Sequence, residues 1–184
     1  MRHVTFALAL VLATGCPGPA TGPTPGGTYF WRVLSSTIEF GACSDEPTFR
    51  DGLRPVPFTE NSFVVYRVAD DGATAVTQDC SRLDAQSCVT PAMPDTYDIS
   101  GFELTRSETF KNPIQNSSCM LSQNVNETIV ESGRSMTFEL ISILTLTDSP
   151  TDCPNVESGL KRNSPNGLGV EGCVITRKLT GELK

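Results

Sequence analysis

Between Met136 and Thr147 the chain alternates without a break. Met136, Phe138, Leu140, Ser142, Leu144 and Leu146 fall on every second position, with Thr137, Glu139, Ile141, Ile143, Thr145 and Thr147 between them. A side-chain period of two belongs to an extended strand, and neither Gly nor Pro interrupts it. After Thr137 and Glu139 the second set becomes polar again only at its end, so the middle of this strand is expected to be buried on both faces. Elsewhere Gly, Pro, Asn and Asp punctuate short apolar or alternating runs, and no segment carries a long helical period. The chain is therefore expected to be an antiparallel β protein.

The remaining strands follow from the same pattern. Tyr29, Trp31 and Val33 share one face of a first strand that starts at Thr28 and is expected to continue to Phe40. Ser62 to Ala69 and Ala73 to Cys80 flank Asp70-Asp71-Gly72, the clearest hairpin turn. Further strands are predicted at Ile99 to Arg106, Cys119 to Val125, Thr128 to Glu131 and Cys173 to Leu183, where Ile175, Arg177 and Leu179 share a face. Seven or eight strands joined as a meander predict an up-and-down barrel, with a β-sandwich as the alternative. Residues 28–184 then form one domain with long loops at Gly41 to Asn61, Asp84 to Asp98 and Asp148 to Gly172.

The N-terminus reads as a processing signal. Met1-Arg2-His3 is a short basic region, Val4 to Ala13 an apolar run too short to span a bilayer, and Thr14-Gly15-Cys16 supplies small residues ending in a thiol. The run Leu12-Ala13-Thr14-Gly15-Cys16 resembles the lipobox of bacterial lipoproteins, with Ala13 where Leu is usual. The resemblance implies removal of residues 1–15, acylation of Cys16 with the palmitate-bearing anchor of that class, and attachment to a membrane. Pro17 is not the Asp that retains some lipoproteins at the inner membrane, which points to the outer membrane of the cell envelope.

Cysteine number agrees with this reading. Seven cysteines leave one unpaired in an exported chain, but an acylated Cys16 leaves Cys43, Cys80, Cys88, Cys119, Cys153 and Cys173 for three disulfides. Spacing favours one pair, Cys80 with Cys88, across a short polar segment. No Cys-x-x-Cys spacing supports zinc. After Cys16, residues 17–27 contain four prolines, four glycines and no bulky apolar side chain, so residues 16–27 are expected to form a lipidated tether. Stretched at ~3 Å per residue, it reaches roughly 30 Å. The run Gly26-Gly27-Thr28-Tyr29-Phe30-Trp31 is similar to the start of lipocalin-like barrels, some of them outer-membrane lipoproteins.

Composition narrows the chemistry. Without Arg2, 13 Lys and Arg stand against 21 Asp and Glu, a net charge of −8 that argues against nucleic acid as a partner. His3, the one histidine, leaves with the signal, which removes histidine bases and histidine-ligated metals from consideration. Asp95 with Asp98 is the nearest approach to a glycosidase pair, and Asp70 with Asp71 is accounted for by the turn. Asp148 and Asp152 are the weak candidates for calcium, without the alternating acidic loop that calcium modules use. Asn163 to Gly169 lacks the Lys-Ser/Thr ending of a phosphate loop. The expected function is a non-catalytic binding or structural module, anchored by lipid and without metal or cofactor. Its expected partner is an envelope protein, or a small apolar ligand in a calyx lined by Trp31 and Phe138. The alternative is a carboxylate-dependent hydrolase acting on envelope or environmental glycans.

Overall fold

A computed structural model of the protein describes residues 22–45 and 60–184. The signal segment, Cys16, the first part of the tether and the middle of the Gly41 to Asn61 loop lie outside the described residues. The strands are β1 (Thr28–Phe40), β2 (Phe63–Val68), β3 (Thr74–Thr77), β4 (Asp79–Cys80), β5 (Cys88–Val89), β6 (Thr96–Ser100), β7 (Glu103–Pro113), β8 (Met120–Ser132), β9 (Ser135–Thr147) and β10 (Val174–Leu183). Among the described residues one α-helix, α1 (Asp152–Asn163), precedes β10.

Eight of these strands close an antiparallel barrel in the order β1-β2-β3-β6-β7-β8-β9-β10, with β1 pairing β10 to complete it. Each barrel strand pairs with the next along the chain, apart from the excursion β4–β5, which forms its own two-stranded sheet. This is the up-and-down barrel expected from the pattern, and it excludes the sandwich.

Boundaries differ from the sequence reading where a turn or a charge was decisive. Ile99 to Arg106 is not one strand: Gly101, at φ 63°, turns the chain between β6 and β7. Cys119 to Val125 and Thr128 to Glu131 are two ends of one strand, β8, which runs unbroken through Glu127. The interior of the last long loop holds α1, whose only buried residue is Cys153, so no apolar stripe advertises it. Its ends are favoured electrostatically by Asp152 in the first turn and Lys161 and Arg162 in the last. On β9 the expected double burial fails. Ile143 is 37% exposed, because its face is the outer wall of the barrel and points to solvent.

The two barrel ends differ in kind. One carries the turns Asp70-Asp71-Gly72, Gly101-Phe102 and Gly133-Arg134 and the C-terminus. Residues 22–27 also dock there. Gly26 N–H donates to Ala69 O at 3.3 Å and Thr24 N–H to the Tyr29 hydroxyl at 2.5 Å, while a Cβ on Gly22 would stand 2.2 Å from Gly101 O. The folded unit thus includes the last residues of the Pro/Gly segment. The opposite end carries the long connections and the disulfides Cys43–Cys173, Cys80–Cys88 and Cys119–Cys153.

Two apolar cores fill the interior. The lower, at the tight-turn end, contains Trp31, Val33, Tyr66, Leu104, Ile129 and Leu179. The upper lies beneath the loops, where Leu144, Val170 and Ile175 pack with Leu160 of α1 and with Cys43–Cys173. Outward positions on β7 and β8 are polar: Ser107 donates to Asn126 at 2.8 Å and Thr109 to Asn124 at 2.7 Å. That stretch of the wall is therefore hydrophilic, while the two cores are apolar.

Candidate functional site

Between the two cores a row of charge crosses the interior. Arg106 on β7 pairs in register with Glu127 on β8, Glu127 with Leu140 on β9, Leu140 with Arg177 on β10, and Arg177 with Ile38 on β1. Paired residues share a face, so all five side chains point inward. Arg106 Nη1 reaches Glu127 Oε1 at 3.1 Å, and the Tyr97 hydroxyl donates to Glu127 Oε2 at 2.5 Å. Burial, reinforced by the Glu127 charge, raises the Tyr97 hydroxyl far above its usual range, so it stays a donor. Burial opposes the charge on Arg106, but Glu127, then Asp95 and Glu108, outweigh it and hold the guanidinium above its ordinary value. On Arg177 burial dominates and lowers it, with Glu127 acting the other way.

The row reaches the surface where the wall splays. β6 and β7 pair only at Ser100–Glu103, Ile99–Leu104 and Asp98–Thr105. Above that, the chain entering β6 bonds to β3 instead: Thr77 N–H donates to Asp95 O at 2.9 Å, and Asp95 N–H donates to Thr77 Oγ1 at 3.0 Å. β7 continues alone beside β8 up to Pro113. The separation leaves a notch of about 440 Å³ between Met93–Thr96 and Arg106–Phe110. Arg106 spans it, with Nη2 2.9 Å from Asp95 Oδ1 and a further ion pair to Glu108.

This geometry sets what the notch can accept. Three carboxylates surround the guanidinium and outweigh its single charge, so an incoming anion meets net repulsion there. Asp95 and Glu108 are each nearly half exposed and keep lone pairs toward solvent, giving the notch a negative bias beside the apolar surfaces of Phe110 and Met93. A larger cavity, about 500 Å³, lies outside the barrel under the stapled β4–β5 lobe, against Phe63, Val65 and Leu83. It holds no comparable cluster of charge.

Residues singled out from sequence are distributed differently. Trp31 and Phe138, expected to line a calyx, are 1% and 6% exposed and belong to the packed lower core. Asp95 faces the notch, whereas Asp98 lies on the outer face opposite Thr74 and Thr105, so the two carboxyls do not converge. Asp148 is paired with Lys111 at 3.0 Å, and Asp152 accepts from Ser118 N–H at 2.9 Å and from its hydroxyl at 2.5 Å. The six downstream cysteines form three bridges, Cys80–Cys88 among them. Arg106, Glu127, Tyr97 and Glu108 were not singled out from sequence. The available signal was a charge on an apolar register, with Glu127 between Val125 and Ile129 and Arg106 two residues after Leu104.

No known family, no curated protein and no solved structure matches this chain.

Proposed function

We propose that this protein is a non-catalytic binding module of the bacterial cell envelope, acylated at Cys16 and presenting the looped, disulfide-stapled end of its barrel away from the membrane. The observation that carries this reading is the polarity of the barrel. Residues 22–27 dock at the tight-turn end, while the three disulfides and the charged notch lie toward the other. An anchor at Cys16 would hold the tight-turn end near the bilayer, since the chain from 17 to 21 spans at most about 20 Å. Staples on the connections suit a surface that must keep its shape outside the cell, where bridges persist. The carboxylates at the notch are held by Arg106, an arrangement of recognition rather than proton transfer. A small apolar ligand is less well supported, because the residues expected to receive it are core.

The test is the membrane fraction. Native protein should begin at Cys16 with diacylglyceryl mass added and should leave the membrane when Cys16→Ser is introduced. An unmodified Cys16 thiol, or an unchanged membrane fraction for the variant, would refute the anchor.

A further inference from the structure

The notch borders an open strand edge. β7 pairs with β8 along its whole length, from Glu103–Val130 to Pro113–Met120, but with β6 only up to Thr105. Among the described residues, the side of 106–113 that faces away from β8 pairs with no strand. Every residue from Ser107 to Pro113 is exposed, so this stretch lacks cover on either face as well as on that edge. An unpaired row of N–H and C=O groups is the template on which another extended chain adds.

Proteins guard such edges with proline, with lysine or by covering them. Here the guards are confined to one end of the edge. Pro113 closes it, and Lys111 is tied to Asp148. Below them, from Arg106 to Phe110, the edge lines the notch instead, with Phe110 40% exposed and Met93 91% exposed across from it. The two half-exposed carboxylates Asp95 and Glu108 stand on opposite sides of the gap.

We infer that the edge of β7 from Arg106 to Asn112 takes a strand from a partner protein: an extended segment that pairs antiparallel or parallel with β7 and sets a lysine or arginine against the solvent-facing sides of Asp95 and Glu108, which Arg106 bridges from within. The backbone supplies affinity without regard to sequence, and the charge of the notch selects the side chain. The apolar rim of Phe110 and Met93 receives the residue two positions along, which points the same way in a strand. A second copy of this chain is a poor occupant, because two acidic chains would bring the same carboxylates together. The inference deepens the binding-module reading and rests on it for the role, but not on the anchor.

The experiment uses the full chain in detergent and two probes: an eight-residue peptide of alternating Thr and Val with a central Lys, and the same peptide with Glu in its place. Amide hydrogen exchange of residues 106–112 should be fast in the free protein for alternate residues and slow when the Lys peptide is present. The Glu peptide should bind at least about fivefold more weakly, and Glu108→Gln should narrow that gap by weakening the Lys peptide and easing the repulsion of the Glu peptide. Edge amides already protected in the free protein, equal affinity for the two peptides, or protection that rises only with protein concentration would each overturn the inference. Thr109→Pro should abolish peptide binding, and its stability is checked by urea unfolding. If that variant fails to fold, Glu108→Gln still decides. None of these failures touches membrane attachment, which Cys16→Ser tests separately.

Discussion

The Tyr97 hydroxyl and Glu127 meet at 2.5 Å although their strands, β6 and β8, do not pair with one another. They are separated by β7, whose Arg106 holds the other oxygen of the same carboxylate at 3.1 Å. Tyr97→Phe removes one donor from a buried charge and should cost about 2 kcal/mol. Arg106→Met removes the cation and should cost about 3 kcal/mol or more. Because both act on Glu127, the double variant should fall short of the sum. Urea unfolding of the four proteins measures the cycle, and strict additivity would mean that Glu127 is not the shared partner.

Glu131 gives the protein a pH-dependent stability. It lies on the inward register of β8, 9% exposed, with no ion pair among the described residues, and burial pushes its carboxyl from the usual 4.5 up to about 7. The folded state therefore holds this proton more tightly than the unfolded chain. The contribution of Glu131 is undiminished below about pH 4.5, declines as pH rises toward 7, and is about 3 kcal/mol smaller above that. Glu131→Gln should flatten this decline and make the protein more stable than the parent at pH 8. An unfolding midpoint with the same slope between pH 5 and 7 in both proteins would show that Glu131 is not the source.

The three disulfides close loops of very different length, with sequence separations of 130 for Cys43–Cys173, 34 for Cys119–Cys153 and 8 for Cys80–Cys88. If each acts through the unfolded chain, replacing the pairs by Ala should cost about 5, 4 and 2.5 kcal/mol in that order. Denaturant midpoints of the three double variants give the ranking. A Cys80/Cys88 variant as damaged as the Cys43/Cys173 variant would point to native contacts of the lobe instead.

Trp31 reports on the lower core. At 1% exposure its emission should be blue-shifted and insensitive to iodide. Titration with palmitate should leave that emission unchanged. Quenching or a shift that saturates with palmitate would place an apolar ligand in the interior, in the calyx expected from sequence.

Much of the fold was legible because a strand records its orientation locally. Tyr29, Trp31 and Val33 alternate, Asp70-Asp71-Gly72 is a turn by composition, and Met136 to Leu146 is a strand by period alone. The errors lie where one residue decides a boundary. Gly101 turned what reads as a single strand into two. Glu127 divided in sequence what the sheet keeps whole, since a charge on an apolar register looks like a break until Arg106 and Tyr97 are seen beside it. The helix escaped notice because its apolar contact is confined to Cys153 and Leu160, too few residues to set a helical period.

The candidate site was legible only in fragments. Arg177 stands visibly on the face of Ile175 and Leu179, and Asp95 near Asp98, but adjacency in sequence misled for the latter pair. Odd and even positions of extended chain point to opposite sides, so Asp95, just before β6, joined Arg106 while Asp98 within it joined the outer wall.

By itself the sequence determined the β class of the barrel elements, the approximate number of strands, the even count of cysteines after Cys16 and the confinement of histidine to position 3, since each is a property of composition or of neighbours within a few residues. Tertiary structure alone decided how the four cysteines other than Cys80 and Cys88 pair, which end bears the loops, and that Glu127 of β8, Glu108 of β7 and Asp95 just before β6 converge on Arg106. Those facts depend on the register and closure of the barrel, and closure is a relation between residues as far apart as Trp31 and Leu183 that no local period encodes.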